Sequence, residues 1–277
     1  MSLLIIVILS LFFIGFQLYS QDQLENNYQV SNEVKKTKLD INSLFNIYGF
    51  DENFQIENEK KVWDNVKFEL NPEHGKFYDE LSRIADENTV VISPTFTAVA
   101  YHEPGFYTYY RGECGEKCLT VELQKDYSFD YISSGNGLQV LKLLGYEIIS
   151  DIDIDQNPNV LEKYDKVILL HNEYVTKKEF NAIVNHPNVI YLYPNSLYGE
   201  IIVDYENNSM TLLRGHNFPT SEITNGFDWK FDNSPSEYNE NCKDMGFDKI
   251  DNGWMLNCYP ERAIHQSKVL LKMIKEF

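Results

Sequence analysis

The sequence predicts an α/β fold, a three-layer sandwich with helices on both faces of a mostly parallel sheet, and two observations predict it. Four short runs dominated by Val, Ile and Leu occur at residues 89–93 (TVVIS), 146–150 (YEIIS), 166–171 (KVILLH) and 189–193 (VIYLY). Runs of this length without polar alternation suit strands buried on both faces. Segments of helical periodicity fall between them, and such alternation gives βαβ units with right-handed crossovers.

Residues 3–16 (LLIIVILSLFFIGF) carry no charge, which is the length of a signal-peptide core and slightly short of a membrane span. Residues 1–20 therefore read as a cleaved secretion signal or a retained N-terminal membrane anchor, and the protein as extracytoplasmic, secreted or held on the outer face of the membrane. The polar, weakly periodic residues 21–60 read as a stalk, leaving 61–277 as the domain. Phe77, Leu81 and Ile84 recur at helical spacing within 72–87. The segment 137–144 (GLQVLKLL) is a helix stopped by Gly145. Thr176 opens the helix KKEFNAIVN, with Glu179 placed to complete a capping box. GEIIVDY and SMTLLRG flank Glu206, Asn207 and Asn208 as a β-hairpin. Residues 217–260 form an irregular excursion, and 263–277 a closing helix with Ile264, Val269, Leu270 and Met273 toward the body.

With 43% hydrophobic residues, 19 Tyr and 17 Phe, the chain is not disordered. Its net charge of −18 repels phosphate backbones and argues against a nucleic-acid partner. The four cysteines form two local pairs, Cys114 with Cys118 and Cys242 with Cys258. Their intra-pair spacings do not suit a zinc ribbon, and export permits disulfides, so two disulfides are expected. Asn207 heads the glycosylation sequon Asn-Asn-Ser. The acids of 151–162 (DIDIDQNPNVLE) imitate a calcium loop but lack its glycine and contain Pro158, so a solvated acidic loop is the reading preferred there.

Three strands end in chemically capable residues, and ligands of parallel sheets bind beyond such ends. His171 and Glu173 close one strand on the same side of an extended segment, where they can share a proton, activate water or hold a metal. Asn195 closes the next strand, and Tyr101 follows the first. The remaining tyrosines of 97–110 are expected to pack.

These segments together (VVISPTFTAVAYHEPGFYTYY, SFD at 128–130, LGYEIISDIDID, YDKVILLHNEYVT and VIYLYPNSLYGE) make residues 89–200 resemble the C-terminal domain of the N,N-dimethylformamidase large subunit, which has a class I glutamine-amidotransferase-like, flavodoxin-like fold. The resemblance implies hydrolysis of a small amide at an iron held by two tyrosines and one glutamate, assisted by a histidine and an asparagine. Residue by residue, it assigns metal ligation to Tyr101, Glu173 and Tyr131, with Tyr127 as the rival of Tyr131, and the assisting roles to His171 and Asn195. The sequence departs from the family at Val175, where a tryptophan is usual, and at His186-Pro187-Asn188, where a Gly-Gly is absent. The alternative expectation is a non-catalytic cell-surface or ligand-binding domain that keeps the fold.

Overall fold

The computed structural model describes residues 35–51, 54–57, 59–63, 65–84, 88–123 and 132–277. The leader at 1–20 and the first part of the stalk lie outside them. Among the described residues no helix is long and apolar enough to cross a membrane.

In chain order the strands are β1 (Lys36–Lys38), β2 (Phe45–Phe50), β3 (Phe54–Glu57), β4 (Lys60–Trp63), β5 (Val66–Leu70), β6 (Thr89–Ser93), β7 (Thr120–Glu122), β8 (Glu147–Ser150), β9 (Lys166–Leu169), β10 (Tyr174–Thr176), β11 (Val189–Tyr191), β12 (Gly199–Asp204), β13 (Ser209–Arg214), β14 (Phe247–Ile250) and β15 (Gly253–Leu256). The helices are α1 (Gly75–Arg83), α2 (Thr95–Tyr101), α3 (Phe106–Tyr110), α4 (Gly135–Leu143), α5 (Asp151–Gln156), α6 (Lys177–Asn185), α7 (Ala263–Gln266) and α8 (Lys268–Glu276).

The main sheet runs β14-β15-β11-β9-β6-β8 and is parallel except for the β14/β15 edge pair. Its register aligns Val91 with Ile168 and Ile168 with Ile190. These side chains join Phe77 and Leu81 of α1, Val140 and Leu141 of α4, and Leu270 and Ile274 of α8 in one core. Their chain neighbours Val90, Ile92, Val167, Leu169 and Val189 join Ile154 of α5 and Ile183 of α6 in a second. Because successive strand residues point to opposite faces, a sheet covered on both sides needs apolar residues at every position, which is what the unbroken runs supply. The α/β class is as expected.

A second sheet, β10-β12-β13-β7, carries the expected hairpin β12/β13. Met210, Leu212, Ile201 and Val121 pack it onto Phe96 and Val99 of α2 and Phe106 of α3. β10 of this sheet follows closely on the end of β9, and α2, which the sheet packs on, follows directly on β6.

Five expectations need correction. The stretch from Lys36 to Phe50 is not stalk: β1, β2 and β5 form a sheet, and Leu44, Phe45 and Ile47 are buried in the first core. Residues 151–162 are not a solvated loop but α5 and a 3₁₀ turn, with Asp151 and Asp155 buried. The capping box is one-sided, since Thr176 accepts from the Glu179 amide at 3.2 Å while the Glu179 carboxylate is buried without a hydrogen bond. The excursion contains β14 and β15, which extend the main sheet. The closing helix is broken at Ser267, whose hydroxyl caps α8 through the Leu270 amide at 3.1 Å. That restart shifts the helical phase, leaving Val269 61% exposed and burying Leu271 and Ile274 instead.

Both expected disulfides are present, Cys114–Cys118 and Cys242–Cys258, and they fit an oxidising, extracytoplasmic compartment. Asn207 lies exposed in the β12/β13 turn, its amide donating to Asp204 at 2.7 Å.

Candidate active site

β9 ends at Leu169, and the next four residues leave the sheet in a tight bend in which the Asn172 amide donates to the Leu170 carbonyl at 2.8 Å. The bend is held from two sides. The Thr97 hydroxyl of α2 accepts the amides of Glu173 and Tyr174 at 2.9 and 3.2 Å, and the Glu173 carbonyl accepts those of Tyr198 and Gly199 at 2.9 and 2.8 Å. Glu173 is thereby fixed at the junction of the two sheets, with its side chain fully buried.

Around that carboxylate the structure gathers Tyr101, His171 and His216. Tyr101, at the end of α2, donates its phenol to Oε2. His171 Nε2 lies 3.9 Å from the same oxygen. His216 Nε2 lies 2.5 Å from Oε1. That last approach is an ion-pair contact, whereas His171 Nε2 is buried without a hydrogen bond. Burial alone would push the Glu173 carboxyl up; the charge of and hydrogen bond to His216, aided by His171 and Tyr101, outweigh it and hold the group below its ordinary value. The neighbouring phenols move the other way. Burial, then the Glu173 charge, pushes Tyr101 and Tyr174 well above the usual range, and burial does the same to Tyr107 and Tyr110.

The His171 ring is oriented by its own partner. Its Nδ1 lies 2.6 Å from the Ile132 carbonyl, and a carbonyl only accepts, so Nδ1 carries a proton and Nε2 is the ring atom turned toward Glu173. Tyr193 stacks on the ring and Tyr259 meets it edge-on.

His216 follows the hairpin exit. Gly215 has φ +117°, and a Cβ there would lie 2.8 Å from the Tyr198 carbonyl, so only glycine fits. His216 itself is left-handed at φ 50°, its amide donating to the Thr224 carbonyl at 2.8 Å. Its ring stacks on Tyr174 at 5.3 Å and meets Tyr198 edge-on at 4.6 Å.

Two cavities open onto this cluster. The first, of ≈ 300 Å³, reaches His171 and Tyr101 between Tyr107, Tyr259 and Tyr238. The second, of ≈ 280 Å³, is lined by Asn195, Tyr198 and His216 and shares Glu237 and Tyr238 with the first. The structure therefore brings Tyr101, His171 and Glu173 together as the sequence suggests, and sets Asn195, left-handed at φ 55° with its Oδ1 unbonded, in the adjoining cavity. Tyr131 and Tyr127 lie outside the described residues. His216 was missed; the signal available was a histidine between Gly215 and Asn217 at the exit of a hairpin, a place where the chain turns through left-handed conformations.

Among the described residues no three His, Cys, Asp or Glu side chains converge as a metal site. A cation beside Glu173 would therefore draw on phenol oxygen, which Tyr101 offers. No family model matches the chain, and no curated protein matches it.

Proposed function

We propose that the chain is an extracytoplasmic metal-dependent hydrolase of small amide-type C–N bonds, on a glutamine-amidotransferase-like version of the α/β sandwich, with Glu173 at its centre. The observation that carries this reading is one buried carboxylate, Glu173, with the Tyr101 phenol on Oε2, His216 on Oε1 and the unbonded His171 Nε2 beside them. An unmet buried polar group such as His171 Nε2 costs roughly 1–3 kcal/mol, which a water or substrate group bound there would relieve. Carboxylate, phenol and imidazole suit a first-row transition metal such as iron.

Glu173 and Tyr101 would hold the cation, which when bound supplies Lewis acidity toward an amide carbonyl. The His171 lone pair takes a proton from a water in the first cavity as the water oxygen adds to the carbonyl carbon. The same nitrogen returns that proton to the leaving amine as the C–N bond breaks, giving a carboxylic acid and an amine. Tyr193 and the Ile132 carbonyl keep the ring in the orientation both transfers need. The cavity of ≈ 300 Å³ suits a small substrate and is at the lower end of small-molecule sites. Asn195, in the adjoining cavity, would bind substrate from the other side.

Elemental analysis of the purified full chain tests the reading. One equivalent of iron or another first-row metal in the wild type, lost in Glu173→Ala, is the expected result. Metal-free protein after expression in metal-replete medium, with none taken up on addition, would sink it and leave ligand binding without catalysis.

A further inference from the structure

We propose that the first cavity selects its substrate through a small organic cation, an alkylammonium group held by tyrosine rings and by the carboxylate of Glu237. The inference rests on the hydrolase reading only in taking that group to be part of an amide substrate. The binding itself needs neither a metal nor a scissile bond.

Three observations meet at this cavity. First, successive rings of its wall are set steeply against one another. Tyr107 meets Tyr101 at 4.8 Å and 68°, Tyr101 meets His171 at 6.0 Å and 51°, and His171 meets Tyr259 at 5.5 Å and 86°. All four line the cavity. Rings turned in this way enclose a concave space instead of stacking into a slab, and the face of a phenol ring carries the negative side of its quadrupole. Second, the carboxylates of Glu103, Glu237 and Glu240 line the same cavity with a single base, Arg111. Arg111 is already engaged by Glu103 at 2.7 Å and by Glu113 at 3.0 Å, and Arg262 stands 3.9 Å from Glu240. Glu237, half-buried in the 3₁₀ turn Ser234–Tyr238, pairs with no base among the described residues. Third, His171 Nε2, in a side chain 2% exposed, belongs to the cavity wall and has no hydrogen bond. A buried polar atom left unmet in a cavity calls for a bound group.

Charge decides the occupant. An anion would meet three carboxylates and one guanidinium already paired. A bare metal ion needs converging donors, and among the described residues these carboxylates do not provide them. A neutral apolar group would use the rings and leave Glu237 unmatched. An alkylammonium uses both, because its alkyl groups and diffuse charge lie against aromatic rings while the carboxylate balances the charge. The volume of ≈ 300 Å³ admits a group of that size. With the ammonium held by Tyr107, Tyr259 and Glu237, His171 Nε2 remains for the amide to be cleaved. The substrate class is then an amide carrying a second nitrogen, quaternary or protonated, a short distance from the scissile C–N bond.

The test titrates choline and its uncharged isostere 3,3-dimethylbutan-1-ol into the full chain by calorimetry at low salt. Choline is expected to bind at least ~10-fold more tightly than the alcohol, and both Glu237→Gln and Tyr107→Leu to reduce that ratio to about 3-fold or less. If Tyr107→Leu does not fold, Glu237→Gln decides alone. Equal affinity for the two probes, a ratio unchanged in a folded variant, or no binding of choline at millimolar concentration would overturn the proposal. Hydrolysis of neutral amides would then still stand by itself. Choline bound selectively by a protein that cleaves no amide would instead remove the hydrolase reading and keep the cation site.

Discussion

Leu44 donates its backbone N–H to the carbonyl of His265 at 2.8 Å, tying the second strand of the chain to the helices that close it. Ser43 repeats the tie, its hydroxyl lying 3.1 Å from both the His265 carbonyl and the His265 ring. The described stretch Lys36–Phe50 of the segment read from sequence as stalk is thus a structural part of the domain. Phe45 is buried at 3% exposure against Phe68 and Tyr78. Phe45→Ala is expected to lower the unfolding free energy by about 3–5 kcal/mol in urea titrations; a stalk residue would change it by less than about 0.5 kcal/mol.

His265 also sets an acid limit. Burial lowers its pKa from 6.5 to about 4. Because the folded-state value is depressed, its contribution is complete above about pH 6.5 and is lost as pH falls toward 4. The loss amounts to roughly 3 kcal/mol, at about 1.4 kcal/mol per unit. Denaturation between pH 7 and 4 should show it, and His265→Gln should flatten that limb.

Asp151 and Glu179 act in the opposite sense. Both are fully buried, near Asp155, and burial first, then for Glu179 the charges of Asp151 and Asp155, raises their carboxyl pKa values well above ordinary. Their contribution is complete below the unfolded carboxyl value near 4 and is lost as pH rises through the elevated folded values. Lys178, 3.9 Å from Asp155, and the Tyr205 phenol, 2.8 Å from it, engage Asp155 and leave the Glu179 oxygens unbonded. Glu179→Gln should therefore stabilise the protein at pH 7 by roughly 1 kcal/mol or more. That gain should vanish below about pH 4. Equal stabilisation at both pH values would contradict the assignment.

The Cys242–Cys258 bridge closes a chain separation of 16 residues and sits beside the β14/β15 edge. In the chain-entropy model such a loop contributes about 3 kcal/mol. The Cys242→Ser/Cys258→Ser pair should show a loss of that order, and the Cys114/Cys118 pair, closing only 4 residues, a smaller one.

Much of the fold was legible because buried parallel strands need apolar side chains on both faces, and residues 89–93 and 166–169 carry that requirement in sequence. His171 and Glu173 were legible for a related reason: a polar pair ending such a strand stands where parallel sheets bind ligands. What escaped depends on distant partners. Phe45 and Ile47 alternate with half-buried residues, but the face they bury against, Phe68 and the helices after Pro260, is not local. Val269 was misplaced because Ser267 restarts the helix, resetting its phase. His216 reaches Glu173 only because the second sheet folds back over the first, a tertiary fact with no local periodicity behind it.

The most direct test of the central claim is amine release from a panel of small N-alkyl amides by metal-loaded full chain. Hydrolysis that chelation abolishes and metal restores is predicted, with Glu173→Gln reduced at least ~100-fold while still folded. Metal-loaded protein that releases no amine from any member of the panel, or Glu173→Gln at wild-type rate, would contradict it.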